Sequence, residues 1–153
     1  MTTLSGAGEL GLLRELERRS LIGGVEHDAA QVGDHVVTQD ALVEGVHFRL
    51  DWLGWRDLGF RAAAVNISDL AASGARPDAL LVTLAAPGRT AVEDICSLYE
   101  GIAEAGVPGV GGDTTGAPVL VVSVTALGRS ARVPGRAGGH GRCRLGRLHG
   151  RRP

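Results

Sequence analysis

Residues 55–86 read WRDLGFRAAAVNISDLAASGARPDALLVTLAA, and their pattern decides the fold. Trp55–Ser73 carries helical spacing with an Ala-rich middle, and Gly74 and Pro77 stop it. Ala79–Ala85 (ALLVTLA) follows as a strongly apolar strand, ended by Pro87 and Gly88. Downstream, Ala91–Ala105 is a second helix, with Thr90 as its expected N-cap and Gly106 closing it. Val107–Val110 then enters a Gly-rich turn, GGDTTGAP, and Val119–Leu127 (VLVVSVTAL) reads as a long strand. Upstream, Glu9–Arg19 has Leu at 10, 12, 13 and 16, a helical spacing. Gly23 and Gly24 break it, and an acidic loop with His27 and Asp28 follows. His35–Thr38 and Ala41–Phe48 are two short β-rich runs meeting around Asp40.

After the first helix the order β-β-α-β-α-β-β predicts an α/β (α+β) fold, a two-layer sandwich of a mixed sheet with helices on one face. Continuous apolar strands such as 79–85 and 119–127 predict burial on both faces of the sheet. Helices cover one of them, so the other calls for a second copy of the chain or a further domain.

The 153 residues suffice for one domain, 44% of them apolar and only 3% aromatic. Stacking platforms for nucleic acid are therefore not expected. The formal net charge of −1 hides an asymmetry. All 17 acidic residues lie at or before Asp113. The 16 basic residues are all Arg, eight up to Arg89 and eight from Arg129 onward, which leaves −9 on the body and +8 on the tail. Cys96 and Cys143 have no metal-ligand spacing, and Cys96 is expected to be a small buried helix residue. No signal-peptide pattern and no apolar run of roughly 20 residues is present, so a soluble cytoplasmic chain without membrane contact is predicted.

The chain divides at residue 128. Residues 129–153 carry Arg and Gly, no acid and no period, a composition that cannot offset the entropy of ordering. They read as a disordered tail with the character of out-of-frame translation from a GC-rich gene. The competing reading is a basic arm for nucleic acid.

Four carboxylates in the body stand where chemistry is the natural question: Asp28, Asp40, Asp69 and Asp113. Asp is common in loops and turns for structural reasons, and VGGDT (110–114) alone reads as a hairpin turn. Asp69, inside a helix beside apolar neighbours, is harder to explain that way, because an unpaired buried carboxylate is costly and wants a cation. No Lys exists to serve, which excludes the P-loop solution. A polyphosphate would approach a body of charge −9 through Mg²⁺, which keeps several waters and bridges carboxylates to phosphates. Gly111 and Gly112 would let backbone N–H groups come close to a phosphate.

The segments VTQDALVEGVHF (37–48), AAAVNISDLAASGARP (62–77), LYEG (98–101) and VGGDTT (110–115), in that order, resemble the thiamine-monophosphate kinase family. It is a branch of the superfamily that includes aminoimidazole ribonucleotide synthetase and selenophosphate synthetase. The resemblance runs from about residue 9 to 129 and implies the fold of that superfamily's N-terminal domain. It implies transfer of the γ-phosphate of ATP to thiamine monophosphate, giving thiamine diphosphate, with several Mg²⁺ ions gripping the phosphates. Carried over residue by residue, it makes Asp28, Thr38, Gln39, Asp40, Asp69 and Asp113 metal ligands. Tyr99, Gly112, Asp113 and Arg136 become ATP contacts, and His47, in VEGVHF, a substrate contact. A homodimer closing a barrel from the strands of two N-terminal domains is a further implication. No general base is demanded, since the acceptor is already a phosphate and catalysis is positioning plus charge neutralisation.

Three departures from the family pattern stand out. The family's GDDAA reads EHDAA here, with His27 in place of its first Asp. The stretch between Asp28 and Asp40 is short, leaving little room for β structure. After GRA (135–137) the resemblance stops, and with it the C-terminal domain that would supply further metal and substrate ligands. A weakly active or inactive form is the expectation for the chain as it stands. The alternatives are a non-catalytic dimerising nucleotide-binding fragment and another ATP-dependent enzyme of the same superfamily.

Overall fold

The structure, a computed structural model, describes residues 3–23 and 27–130. The expectations for Arg136 and for the stretch after residue 130 lie outside them. The elements run α1 (Leu4–Arg18), β1 (Ala29–Val32), β2 (His35–Val43), α2 (Trp55–Ala72), β3 (Ala75–Ala86), α3 (Val92–Glu104), β4 (Gly109–Gly116) and β5 (Val121–Ser130). The five strands form one mixed sheet in the order β1-β2-β5-β3-β4. Only β3 and β4 are parallel, joined through α3, and the other neighbours are antiparallel. The predicted two-layer α+β arrangement is what forms.

Side chains alternate across each strand, so the register sorts them into two faces. On the helix face, Val36, Thr38 and Leu42 of β2 stand beside Gly128, Ala126 and Val122 of β5. Leu80, Val82 and Leu84 of β3 continue these rows, and all are buried. Onto them α2 packs Leu58, Ala62, Ala63, Asn66 and Leu70. Its small residues let the helix lie low, and α3 joins it through Leu98, Gly101 and Ile102. The single polar pair in this layer is satisfied. The buried Thr38 hydroxyl donates to the Asn66 carbonyl at 3.1 Å, and Asn66 Nδ2 donates to the Ala62 carbonyl at 3.1 Å.

Several expectations are corrected. Within the single chain the burial of β3 and β5 alternates; on the outer face, where a second copy or a further domain is expected, Val37, Val43, Val121 and Leu127 are half-buried and Leu81 is exposed. Apolar sequence on both faces therefore does not make both faces core within this chain. β2 passes unbroken through Asp40, because its pairing with β5 is continuous from His35 to Val43, and residues 45–47 then form a turn. The short stretch before Asp40 still builds β1, held by a turn at Gly33 in a left-handed conformation. The Gly-rich GGDT stretch is an edge strand paired with β3 and not a hairpin turn. β5 carries the body two residues past the expected boundary, to Ser130 opposite Ala75. Cys96 is exposed, since α3 turns its other side to the core. Thr90 does not cap α3, whose N-cap is Ala91 without a side-chain bond. Trp55 packs against the core, but Trp52 is 81% exposed, with Arg49 stacked 5.1 Å from its ring centre. α1 buries no residue.

Candidate functional site

Two clefts open beside the helices. The first, about 450 Å³, lies between β2 and α2 and is lined by Asp40, Phe60, Arg61, Ala64, Val65, Ser68 and Asp69. Asp40 reaches it because the alternation of β2 turns every second side chain to the helix layer. Asp69 reaches it from the last turns of α2, eight residues on from Arg61 along the same stripe. Asp69 titrates above the usual carboxylate range, pushed there by partial burial first and then by the negative charges of Asp40 and Asp28. These three carboxylates, from three different elements of the chain, thus share one electrostatic environment.

The second cleft, about 570 Å³, lies between α3 and the β3–β4 edge. Val82, Tyr99, Ile102, Ala103, Gly109, Gly111, Gly112, Asp113 and Thr114 line it. Gly112, at φ +149°, sits where a Cβ would collide with the Val82 backbone, so β4 can close on β3 there only as glycine. Tyr99 is exposed at this cleft, whose lining joins apolar Val82 and Ile102 to the Gly-rich edge of β4.

The residues read from the sequence as one metal set are therefore divided. Asp40 and Asp69 line one cleft, and the charge of Asp28 is felt at Asp69. Thr38 points its hydroxyl into the core, where Asn66 takes it, so that side chain positions β2 and is not open to an ion. Gln39 faces the other side of the sheet, its Nε2 donating to Ser123 Oγ at 3.3 Å. Asp113 pairs beside Thr83 on β4 and joins Tyr99 and Gly112 in the second cleft. Three strand spacings separate β2 from β4. Their backbones are thus roughly 14 Å apart across the sheet, so Asp40 and Asp113 open onto different clefts of the chain. His47 lies in neither cleft. Its exposed ring accepts the Val43 N–H through Nδ1 at 3.0 Å, which leaves Nε2 facing outward. Asn66, Arg61 and Ser68 carry structural or cleft positions that the sequence reading did not single out. The available signal was their place on α2, Ser68 seven residues after Arg61 and Asn66 three before Asp69.

Asp40 and Asp69 line the cleft with no cation paired to either among the described residues, and carboxylate oxygens are the ligand type that Mg²⁺ prefers. No three His, Cys, Asp or Glu side chains among the described residues converge tightly enough to enclose an ion by themselves. Asp40 and Asp69 would hold an ion only together with waters and with ligands from elsewhere.

Residues 26–130 match the family described as AIR synthase related protein, N-terminal domain, and the chain belongs to that family. Within it, the chain is similar to curated thiamine-monophosphate kinases. It is 39% identical over 125 residues to that of Bacillus subtilis (strain 168), covering 75% of this chain and 38% of the relative. To that of Mycobacterium tuberculosis (strain ATCC 25618 / H37Rv) it is 40% identical over 139 residues, covering 82% and 42%. The solved structure described as AaThiL complexed with AMPPCP and TMP superposes with a TM-score of 0.80 at 27% identity, over 92% of this chain and 48% of that one. The chain thus spans about 40% of the length of the curated relatives it matches. No helix among the described residues is long and apolar enough to cross a membrane.

Proposed function

We propose that the chain carries the nucleotide- and metal-binding portion of a thiamine-monophosphate kinase, which passes the γ-phosphate of ATP to thiamine monophosphate and yields thiamine diphosphate. The observation that carries this reading is the cleft that Asp40 and Asp69 share, in a chain about 40% identical to such kinases. A relative of the same fold was solved with AMPPCP and TMP together, which supports both substrates.

In this reading Asp28, Asp40 and Asp69 hold Mg²⁺ ions through a mixture of direct and water-mediated contacts. The bound ions supply neutralisation of phosphate charge. The cleft of Tyr99, Gly112 and Asp113 takes the nucleotide, its Gly-rich edge offering backbone N–H groups to phosphate. Asp113 adds a carboxylate for an ion on that side, and the outward Nε2 of His47 is the substrate contact. Gln39 and Thr38 act through their backbone and their hold on neighbouring strands. With a phosphate as acceptor and ions to neutralise it, positioning is the protein's task and no base is required.

The half-exposed outer sheet face, with Val37, Val43, Leu81, Val121 and Leu127, supports a homodimer in which two sheets cover one another. Sedimentation of the folded chain as a monomer at micromolar concentration would overturn that part.

Calorimetric titration with AMPPCP tests the whole. Binding is expected with Mg²⁺ and lost with a chelator, and Asp40→Asn or Asp69→Asn is expected to weaken it at least tenfold while the fold persists. Equal binding in the absence of any divalent ion would remove the metal from the reading. No binding under any ionic condition would remove the nucleotide.

A further inference from the structure

We propose that Arg61 is the protein's own phosphate ligand in the Asp40–Asp69 cleft, contacting a phosphoryl oxygen while metal ions occupy the carboxylates. The inference rests on the metal-bridged phosphate reading given above.

The placement comes from α2. Arg61, Ala64, Val65, Ser68 and Asp69 follow one another at i, i+3, i+4, i+7 and i+8, and all five line the cleft opposite Asp40. Arg61 therefore stands in the same opening as two carboxylates, two turns of helix from Asp69. It nevertheless forms no ion pair with any described residue. Arg18, Arg19, Arg49, Arg56 and Arg129 are each paired with a carboxylate on exposed surface, and of those unpaired among the described residues, Arg14, Arg61, Arg76 and Arg89, it is Arg61 that lines this cleft. The one arginine that lines the acidic cleft keeps its donors unused.

Two physical arguments turn that placement into a role. A guanidinium presents a planar fork that matches two oxygens of a phosphate and stays charged at any accessible pH. In a chain without Lys, it is also the only kind of fixed side-chain cation available. Small Ala64 beside it leaves the cleft open rather than filled, so a ligand can come between Arg61 and the carboxylates. Metal ions would answer the carboxylates from one side of the phosphate, and Arg61 would answer the oxygens that the metals leave bare.

The test compares wild type, Arg61→Gln and Arg61→Lys by calorimetry with three probes: Mn²⁺ alone, AMPPCP with Mg²⁺, and thiamine monophosphate with Mg²⁺. Arg61→Gln is expected to lose about tenfold or more in affinity for whichever phosphorylated ligand it touches. It should bind Mn²⁺ alone as well as wild type, or a few-fold tighter, because a positive charge has left the cleft. Arg61→Lys should fall between for the phosphate ligand, keeping the charge and losing the fork. Which of the two ligands shows the loss identifies the phosphate contacted. A loss of Mn²⁺ affinity in parallel would mark Arg61 as merely structural and overturn the proposal. Unchanged affinity for both phosphorylated ligands would overturn it as well. If wild type itself binds neither ligand, the phosphate reading of the site fails, and this inference falls with it.

Discussion

Gly59 of α2 and Gly101 of α3 are each pressed against the other helix's backbone. The Leu98 carbonyl occupies the space that a Cβ on Gly59 would need, and the Arg56 carbonyl does the same at Gly101. This reciprocal notch draws the two helices together and so sets where α3 stands over the β3–β4 edge, with Tyr99 lining the cleft between them. At the helix ends the same contact is flanked by Arg56, whose Nε donates to Glu104 Oε1 at 2.7 Å.

Gly59→Ala is therefore expected to cost roughly 3 kcal/mol or more, because backbone cannot move aside as a flexible side chain does. Gly101→Ala should cost a similar amount. Combined, they should cost less than their sum, since the first methyl already parts the helices for the second. Urea unfolding of the three variants measures this, and strict additivity would mean the two contacts are independent.

Thr38→Val should lower stability by about 1–2 kcal/mol by removing the buried bond to the Asn66 carbonyl. Divalent-ion affinity should stay within about twofold of wild type, since the hydroxyl faces the core and not the cleft. Loss of ion binding with stability unchanged would show that the hydroxyl is a ligand after all.

Asp69 makes the metal-free protein sensitive to pH in a defined sense. Its folded-state pKa is raised by burial and by Asp40 and Asp28, so the folded chain holds that proton more tightly than the unfolded chain. This group's contribution to stability is therefore greatest at low pH. It declines as pH rises from the ordinary carboxylate value through the raised one. Asp69→Asn should flatten that decline and stabilise the metal-free protein at neutral pH. Mg²⁺ at ten times its dissociation constant should stabilise wild type by about 1.4 kcal/mol and the variant much less. Melting curves from pH 3 to 8, with and without Mg²⁺, check both signs.

Gly112→Ala should push β4 away from β3, because the new methyl meets the Val82 backbone. Nucleotide binding and stability should fall together. Gly111→Ala, whose methyl would meet nothing within 4 Å, is the matched control and should change stability by less than about 1 kcal/mol. Equal effects of the two substitutions would show that glycine at 112 is not a steric requirement.

Much of the frame was legible before any coordinates. The long helix ending at Gly74, the apolar strand after it and the helix near 91–105 follow from local periodicity and stop signals, which need no knowledge of partners. The family, too, was legible, because its motifs are contiguous strings. The site was legible only as a set of residue types. Asp40 and Gln39 are neighbours in sequence, yet pleating sends their side chains to opposite faces of the sheet. GGDT has the composition of a turn and becomes an edge strand because β3 is there to pair with it.

What the sequence determined by itself is the order of elements, the −9 charge of the body and the inventory of carboxylates, all properties of short stretches or of composition. What the tertiary structure decided is which carboxylates meet. Asp40 and Asp69 share a cleft within reach of the charge of Asp28, Asp113 goes to another, and Thr38 is turned inward. Register and strand order make that choice. They are set by long-range pairing and by the burial of one face, so no single segment carries the information.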